Sequence, residues 1–240
     1  MRIVSTVTIG TLILFSSGNE SHCKPSHPVA KAVRQAHPIP ATGDLNNADL
    51  IEIGKLGSVD ADQFSDDPSL KYVGRQFVVT LPATALSADY NKDTKELKVS
   101  TSSYEDGYEL RRDQTSRKYI GQNGFGAKTV VTEIRGYAYG IEYPGEKFQK
   151  KPFVYATSME PQDAKELSKT LSLRLTGTII PADGIWAKKG SIFFEHDIIS
   201  DATVSDPYDD FVRRYYVAAK FTKAEWIDAR TGAVVNSESF

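Results

Sequence analysis

The chain is short of cysteine, of histidine and of net charge, and each shortage excludes something. Cys23 is the only cysteine among 240 residues, so no internal disulfide can form and packing must hold the fold. Lysine and arginine number 29 against 31 aspartates and glutamates, a formal net charge of −2. That balance leaves no basic footprint, and neither nucleic acid nor an anionic membrane is an expected partner on charge alone. Three of the four histidines (His22, His27 and His37) share a proline-bearing stretch with Cys23. Their spacing fits no zinc pattern, so no metal and no cofactor is expected. After Ile3–Phe15 no apolar run approaches the roughly 20 residues that a bilayer crossing needs.

Catalytic signatures are also missing. The chain has no G-x-S-x-G and no H-E-x-x-H, and its S-x-x-K falls only at Ser21–Lys24. His196, in Phe194-Glu195-His196-Asp197, is the one histidine outside the N-terminal stretch. A triad can be assembled from residues distant in sequence, so an exported hydrolase using His196 stays open as an alternative. No catalytic residue is assigned.

What is present begins with an address. Met1-Arg2, the apolar Ile3–Phe15 and the small residues Ser16-Ser17-Gly18 describe a secretory signal peptide over residues 1–18. The chain is therefore expected to be exported, to the periplasm or beyond the cell, with no transmembrane segment left after cleavage. Asn19–His22 lack the small and aliphatic pattern that a lipid anchor on Cys23 would require. Residues 19–44 carry Pro25, Pro28, Pro38 and Pro40 and few large apolar groups, and they are expected to be a disordered tail. Residues 45–240 then form a β-rich domain.

Within that domain one pattern occurs twice. Asp67-Pro68, Tyr72-Val73, Arg75 and Phe77-Val78-Val79 are echoed by Asp206-Pro207, Phe211-Val212, Arg214 and Tyr216-Val217-Ala218, without a gap. Further on, Asn91, Thr94 and Leu97 parallel Asp228, Thr231 and Val234. Either a β-unit was duplicated, over about 50–102 and 190–236, or two strands converged through β-propensity and turn chemistry. Duplication is the reading carried forward.

Short strand patterns fill the rest. Residues 72–81 end at Pro82, and Leu97–Thr101 follows a turn at Asp89–Asp93 that lacks the glycine and glutamate of a calcium loop. Residues 103–118 read as a long hairpin tip or a loop. Gly121–Thr129 misses a phosphate loop because Ala127 separates Gly126 from Lys128 and a strand follows. Gly136 marks a bulge or bend. One helix is expected near 159–171, capped by Ser158, with Pro161 in its first turn and Ala164, Leu167 and Leu171 on one side. Asp228 to Gly232 is the best-defined turn, joining Trp226–Asp228 to Ala233–Val235. The pattern predicts a mainly β protein: an antiparallel, sandwich-like fold of two related β-halves with that one short helix.

Candidate binding residues come from two places. Tyr137, Tyr139, Ile141 and Tyr143 share a strand face, and such a row can stack on sugars or peptides or else be half of a core. Arg75 and Arg214 sit at equal places in the repeat, either paired with Asp67, Asp206 or Asp228 or meeting to grip a carboxylate or phosphate. The resulting expectation is a non-enzymatic binding or envelope-accessory protein for a protein, peptide or glycan partner. An inhibitor acting through residues 103–118 is the third option.

Overall fold

The computed structural model describes residues 37–59, 67–101, 107–123, 125–143, 152–203 and 205–240. The signal peptide expected at 1–18, and most of the tail after it, lie outside these residues. In chain order the elements are α1 (Asn47–Leu56), β1 (Gln76–Leu81), β2 (Leu86–Asn91), β3 (Glu96–Thr101), β4 (Tyr108–Gln122) and β5 (Lys128–Glu142). They continue with β6 (Val154–Ser158), α2 (Pro161–Thr170), β7 (Leu171–Ile179), β8 (Phe193–Ser200), β9 (Tyr208–Asp228) and β10 (Ala233–Ser239). The protein is mainly β.

β9 organises the larger sheet. Its 21 residues form a strand long enough to serve two sets of partners. Tyr208–Ala218 runs parallel to β5 and antiparallel to β8, and Ala219–Asp228 runs antiparallel to β7 and β10. Seven strands result, in the order β1-β7-β9-β5-β4 with β8 and β10 added on β9, and β2-β3-β6 makes a separate sheet of three. The β5–β9 pair is a parallel one inside a set expected to be antiparallel.

One core serves both sheets. Phe77, Leu173, Leu175, Ile141, Phe193 and Trp226 of the large sheet cluster with Leu97, Val99 and Tyr155 of the small one. Tyr155 and Trp226 face each other at 6.0 Å. Burial of such side chains stabilises each by about 1.5–3 kcal/mol relative to exposure.

The two Asp-Pro stretches do not build matching halves. Pro68–Tyr72 is a 3-10 turn capped by the Asp67 side chain, and only then does β1 begin, whereas Tyr208 onward is strand throughout. Among the described strands β1 pairs with β7 alone, while β9 lies in the middle of the same sheet. The described residues form one large sheet built on β9 and one small sheet, a mainly β arrangement in which the two Asp-Pro stretches take different places.

The helices show one agreement and one omission. α2 lies where expected, but its N-cap is Glu160, which makes no side-chain cap bond, and Ser158 ends β6. α1 occupies residues where strands were expected to begin. Asn46 accepts from the Ala48 and Asp49 amides, Asp49 returns a bond to the Asn46 amide, and Leu50 and Ile53 are buried beneath. The end of the expected tail is tied down as well. His37 meets the buried Asp49 at 3.1 Å, and the Pro40 and Gly43 carbonyls accept from Arg75.

Candidate functional site

Each sequence-picked residue has a definite place, and they are not one place. Alternation does put Tyr137, Tyr139, Ile141 and Tyr143 on one side of β5. α1 lies across the middle of that row. A Cβ on Gly54 would come within 3.1 Å of Tyr139, and one on the C-cap Gly57 within 2.7 Å of Tyr215, so glycine at these positions favours the close approach of the helix. Tyr139 is buried there, and burial pushes its hydroxyl up to about 12. Tyr137 and Tyr143 remain half-exposed at either end, stacked on Tyr215 at 6.3 Å and on Phe221 at 6.2 Å. The row is a helix-covered core with two exposed ends, not a flat platform.

The arginines part company as well. Arg75 donates to the Pro40 carbonyl at 3.1 Å and the Gly43 carbonyl at 2.8 Å, stapling the incoming chain to β1. Asp67, its expected partner, instead accepts from the Ser69 amide at 2.8 Å. Arg214 stands on β9 between Ala138 of β5 and His196 of β8. It lines a cavity of about 620 Å³, and Arg75 does not.

That cavity is lined by residues of β1, β4 and β9. Arg111, Arg112 and Arg214 contribute three guanidiniums to its lining, against the single carboxylate of Glu109. Tyr108 and Tyr216 supply aromatic surface. The opposite wall is set by Asn47, whose amide donates to the Thr80 carbonyl and accepts from the Thr80 amide, both at 2.8 Å, as a neighbouring strand would. Arg112 grips Glu109 through contacts of 2.7–3.2 Å, and Arg111 meets Asp113 at 2.7 Å. These cations are thus oriented by partners on their own strand and stay partly solvated.

Behind Arg214 and Tyr216 lies a buried pair. His196 Nε2 and Glu142 Oε2 are 2.7 Å apart with side chains 8% and 4% exposed. The imidazole is enclosed by Trp186, Phe194 and Tyr216, with ring centroids at 5.5, 6.5 and 6.2 Å. A buried carboxylate is tolerated only with such bonds. His196 does not line the cavity. It packs instead near Tyr216, which does, with ring centroids 6.2 Å apart.

Sequence reading missed Tyr108, Arg111 and Arg112 because residues 103–118 look polar. From Tyr108 onward that stretch is strand β4, paired with β5 from Tyr108↔Ile141 to Gln122↔Lys128. The turn chemistry at Asn123, whose side chain accepts from the Phe125 and Ala127 amides, was the available clue to a hairpin. Gly136 is not a bulge. The register runs unbroken past it, and a Cβ there would lie 2.4 Å from the Asp113 carbonyl oxygen.

Among the described residues no group of three His, Cys, Asp or Glu side chains could hold a metal ion, and no helix is long and apolar enough to cross a membrane. Of the family models, curated proteins and solved structures compared with the chain, none matches it.

Proposed function

We propose that the chain is an exported, non-enzymatic binding protein whose cavity receives an acidic ligand. One observation carries the reading: a concavity of about 620 Å³ with three arginines and two tyrosines in its lining against one glutamate. The volume falls in the range of small-molecule sites. Guanidinium groups offer paired donors that match carboxylate or phosphate oxygens, and the tyrosines add apolar surface with a polar tip. Export rests on the N-terminal apolar run and its small-residue end. A hydrolase using His196 is the weaker reading, because the imidazole is buried against Glu142 and lies off the lining. An inhibitory loop at 103–118 loses its premise, since β4 occupies most of that segment.

Calorimetric titration with inorganic phosphate, citrate and an acidic pentapeptide, beside neutral disaccharides, tests it. The acidic probes should bind, and Arg111→Gln with Arg112→Gln should weaken them by about tenfold or more, the loss of one to two charge-assisted contacts. Preference for the neutral sugars, or acidic-probe binding indifferent to these substitutions, would overturn the proposal.

A further inference from the structure

The β4–β5 hairpin outruns its sheet. β9 joins β5 at the Thr132↔Tyr208 pair, and beyond it only residues 119–122 and 128–131 continue, paired with each other. At about 3.3 Å per residue this two-stranded end projects roughly 13 Å. Its tip carries Phe125, 88% exposed, and just behind it Ile120 and Val130 stand directly opposite one another at 71% and 56% exposure.

The hairpin's two faces differ. On one face Arg117 pairs with Glu133, Glu133 with Arg135 at 3.1 Å, and Arg135 with Asp209 at 3.0 Å, while the Tyr119 hydroxyl reaches Asp209 at 3.4 Å. Those charges are neutralised within the protein. Alternation sends Lys118, Ile120, Lys128 and Val130 to the other face. There Lys118 and Lys128 are exposed and make no ion pair or hydrogen bond among the described residues. From the turn inward, Phe125 is followed on this face by Lys128, then the Ile120–Val130 pair, then Lys118, so exposed apolar side chains alternate with unneutralised lysines. Such a face suits a fluid apolar layer bordered by negative charge.

We infer that this hairpin end docks with that face on an anionic lipid surface, Phe125, Ile120 and Val130 entering the acyl boundary and Lys118 and Lys128 meeting the headgroups. The free end, roughly 13 Å long, is enough to reach the depth at which interfacial segments lie, about 5–10 Å. Overall charge did not reveal this surface because the two lysines are a local excess in a chain of net charge −2. The inference is independent of the cavity and its ligand.

Sedimentation with vesicles tests it, using the chain as recovered after export so that all variants share one N-terminus. The protein should pellet with phosphatidylcholine–phosphatidylglycerol vesicles and much less with phosphatidylcholine alone. Phe125→Ser combined with Ile120→Asn should cut partitioning by about tenfold or more. Lys118→Gln with Lys128→Gln should abolish the preference for the anionic vesicles, as should high salt. Unchanged far-ultraviolet dichroism and melting would show that these exposed positions leave the fold intact. Failure of the parent protein to pellet, pelleting indifferent to the tip substitutions, or equal partitioning into both vesicle types would overturn the inference. A concentration-dependent dimer abolished by the tip substitutions, without pelleting, would assign the surface to a second copy and overturn it too.

Discussion

Asp67–Val79 and Asp206–Ala218 spell nearly the same pattern and fold differently. After Pro68 the Asp67 carboxylate caps the Ser69 amide, a 3-10 turn forms, and Gly74 at φ +83° swings the chain into β1. After Pro207 the Pro207 carbonyl accepts from the Thr132 amide at 2.8 Å, so the chain is taken up as strand beside β5. At the position of Gly74 the second stretch has Arg213, which is disfavoured in the left-handed region. One residue permits the turn, and a neighbouring strand decides where it is not made. The same letters here do not take matched positions in space.

Substitutions that strike one stretch and spare the other sharpen the contrast. The largest effect is expected at Phe77, fully buried against Phe221 at 6.2 Å. Phe77→Ala should cost about 3–5 kcal/mol in urea unfolding and leave the intrinsic affinity for acidic probes alone. Tyr216, its counterpart, lines the cavity. Tyr216→Ala should change that affinity as well as stability, and purely structural losses at both sites would erase the distinction.

The second echo gives the next effect. Asn91 and Asp228 both open hairpins by accepting the amide two residues on, at 2.9 Å from Asp93 and 3.0 Å from Arg230. Only Asp228 is charged. Its bond to the Arg230 side chain lowers its carboxyl from 3.8 to about 2, against the opposing effect of burial. A depressed folded-state value means a stabilising contribution present above pH 3.8 and lost as pH falls through about 2. Asp228→Asn makes the second turn resemble the first. It should cost about 2 kcal/mol near neutrality and flatten the acid limb of a stability–pH curve over that window. An unchanged acid limb would show that the charge is not what holds this turn.

How far the letters could be read depends on the range of the forces involved. The Asp228–Gly232 turn, the stop at Pro82 and the hairpin at Asn91 were legible because side chains a few residues apart settle them. α1 was legible in principle from Asn46 and Asp49, but Leu50 and Ile53 are too few to display a helical period. β4 was not legible. Its residues are mostly exposed, and pairing with β5, not their own apolar alternation, makes them a strand. The cavity was hidden for the same reason. Arg214 was picked for its place in the repeat, but nothing in the sequence sets it beside Thr80 or Tyr108. The buried Glu142–His196 bond likewise spans 54 positions.

Gly74 comes next in size. A Cβ there would meet nothing within 4 Å, so Gly74→Ala isolates the backbone cost of φ +83°. A loss of about 1.5 kcal/mol is expected, read as a lower urea midpoint at constant slope. A neutral result would mean that the turn relaxes and that the glycine is not what separates the two stretches.

The smallest effect compares the two aspartates themselves. The Asp67 carboxylate caps a backbone amide, and losing such a cap typically costs about 1 kcal/mol. The Asp206 residue is exposed and contributes through its backbone, its amide bonded to the Thr203 hydroxyl at 2.9 Å and its carbonyl to the Thr203 amide at 2.8 Å. Asp67→Ala should therefore lower stability by about 1 kcal/mol while Asp206→Ala stays within about 0.5 kcal/mol of the parent. Equal costs at both positions would mean that the second aspartate also acts through its side chain, and the two stretches would be closer relatives in physics than their backbones suggest.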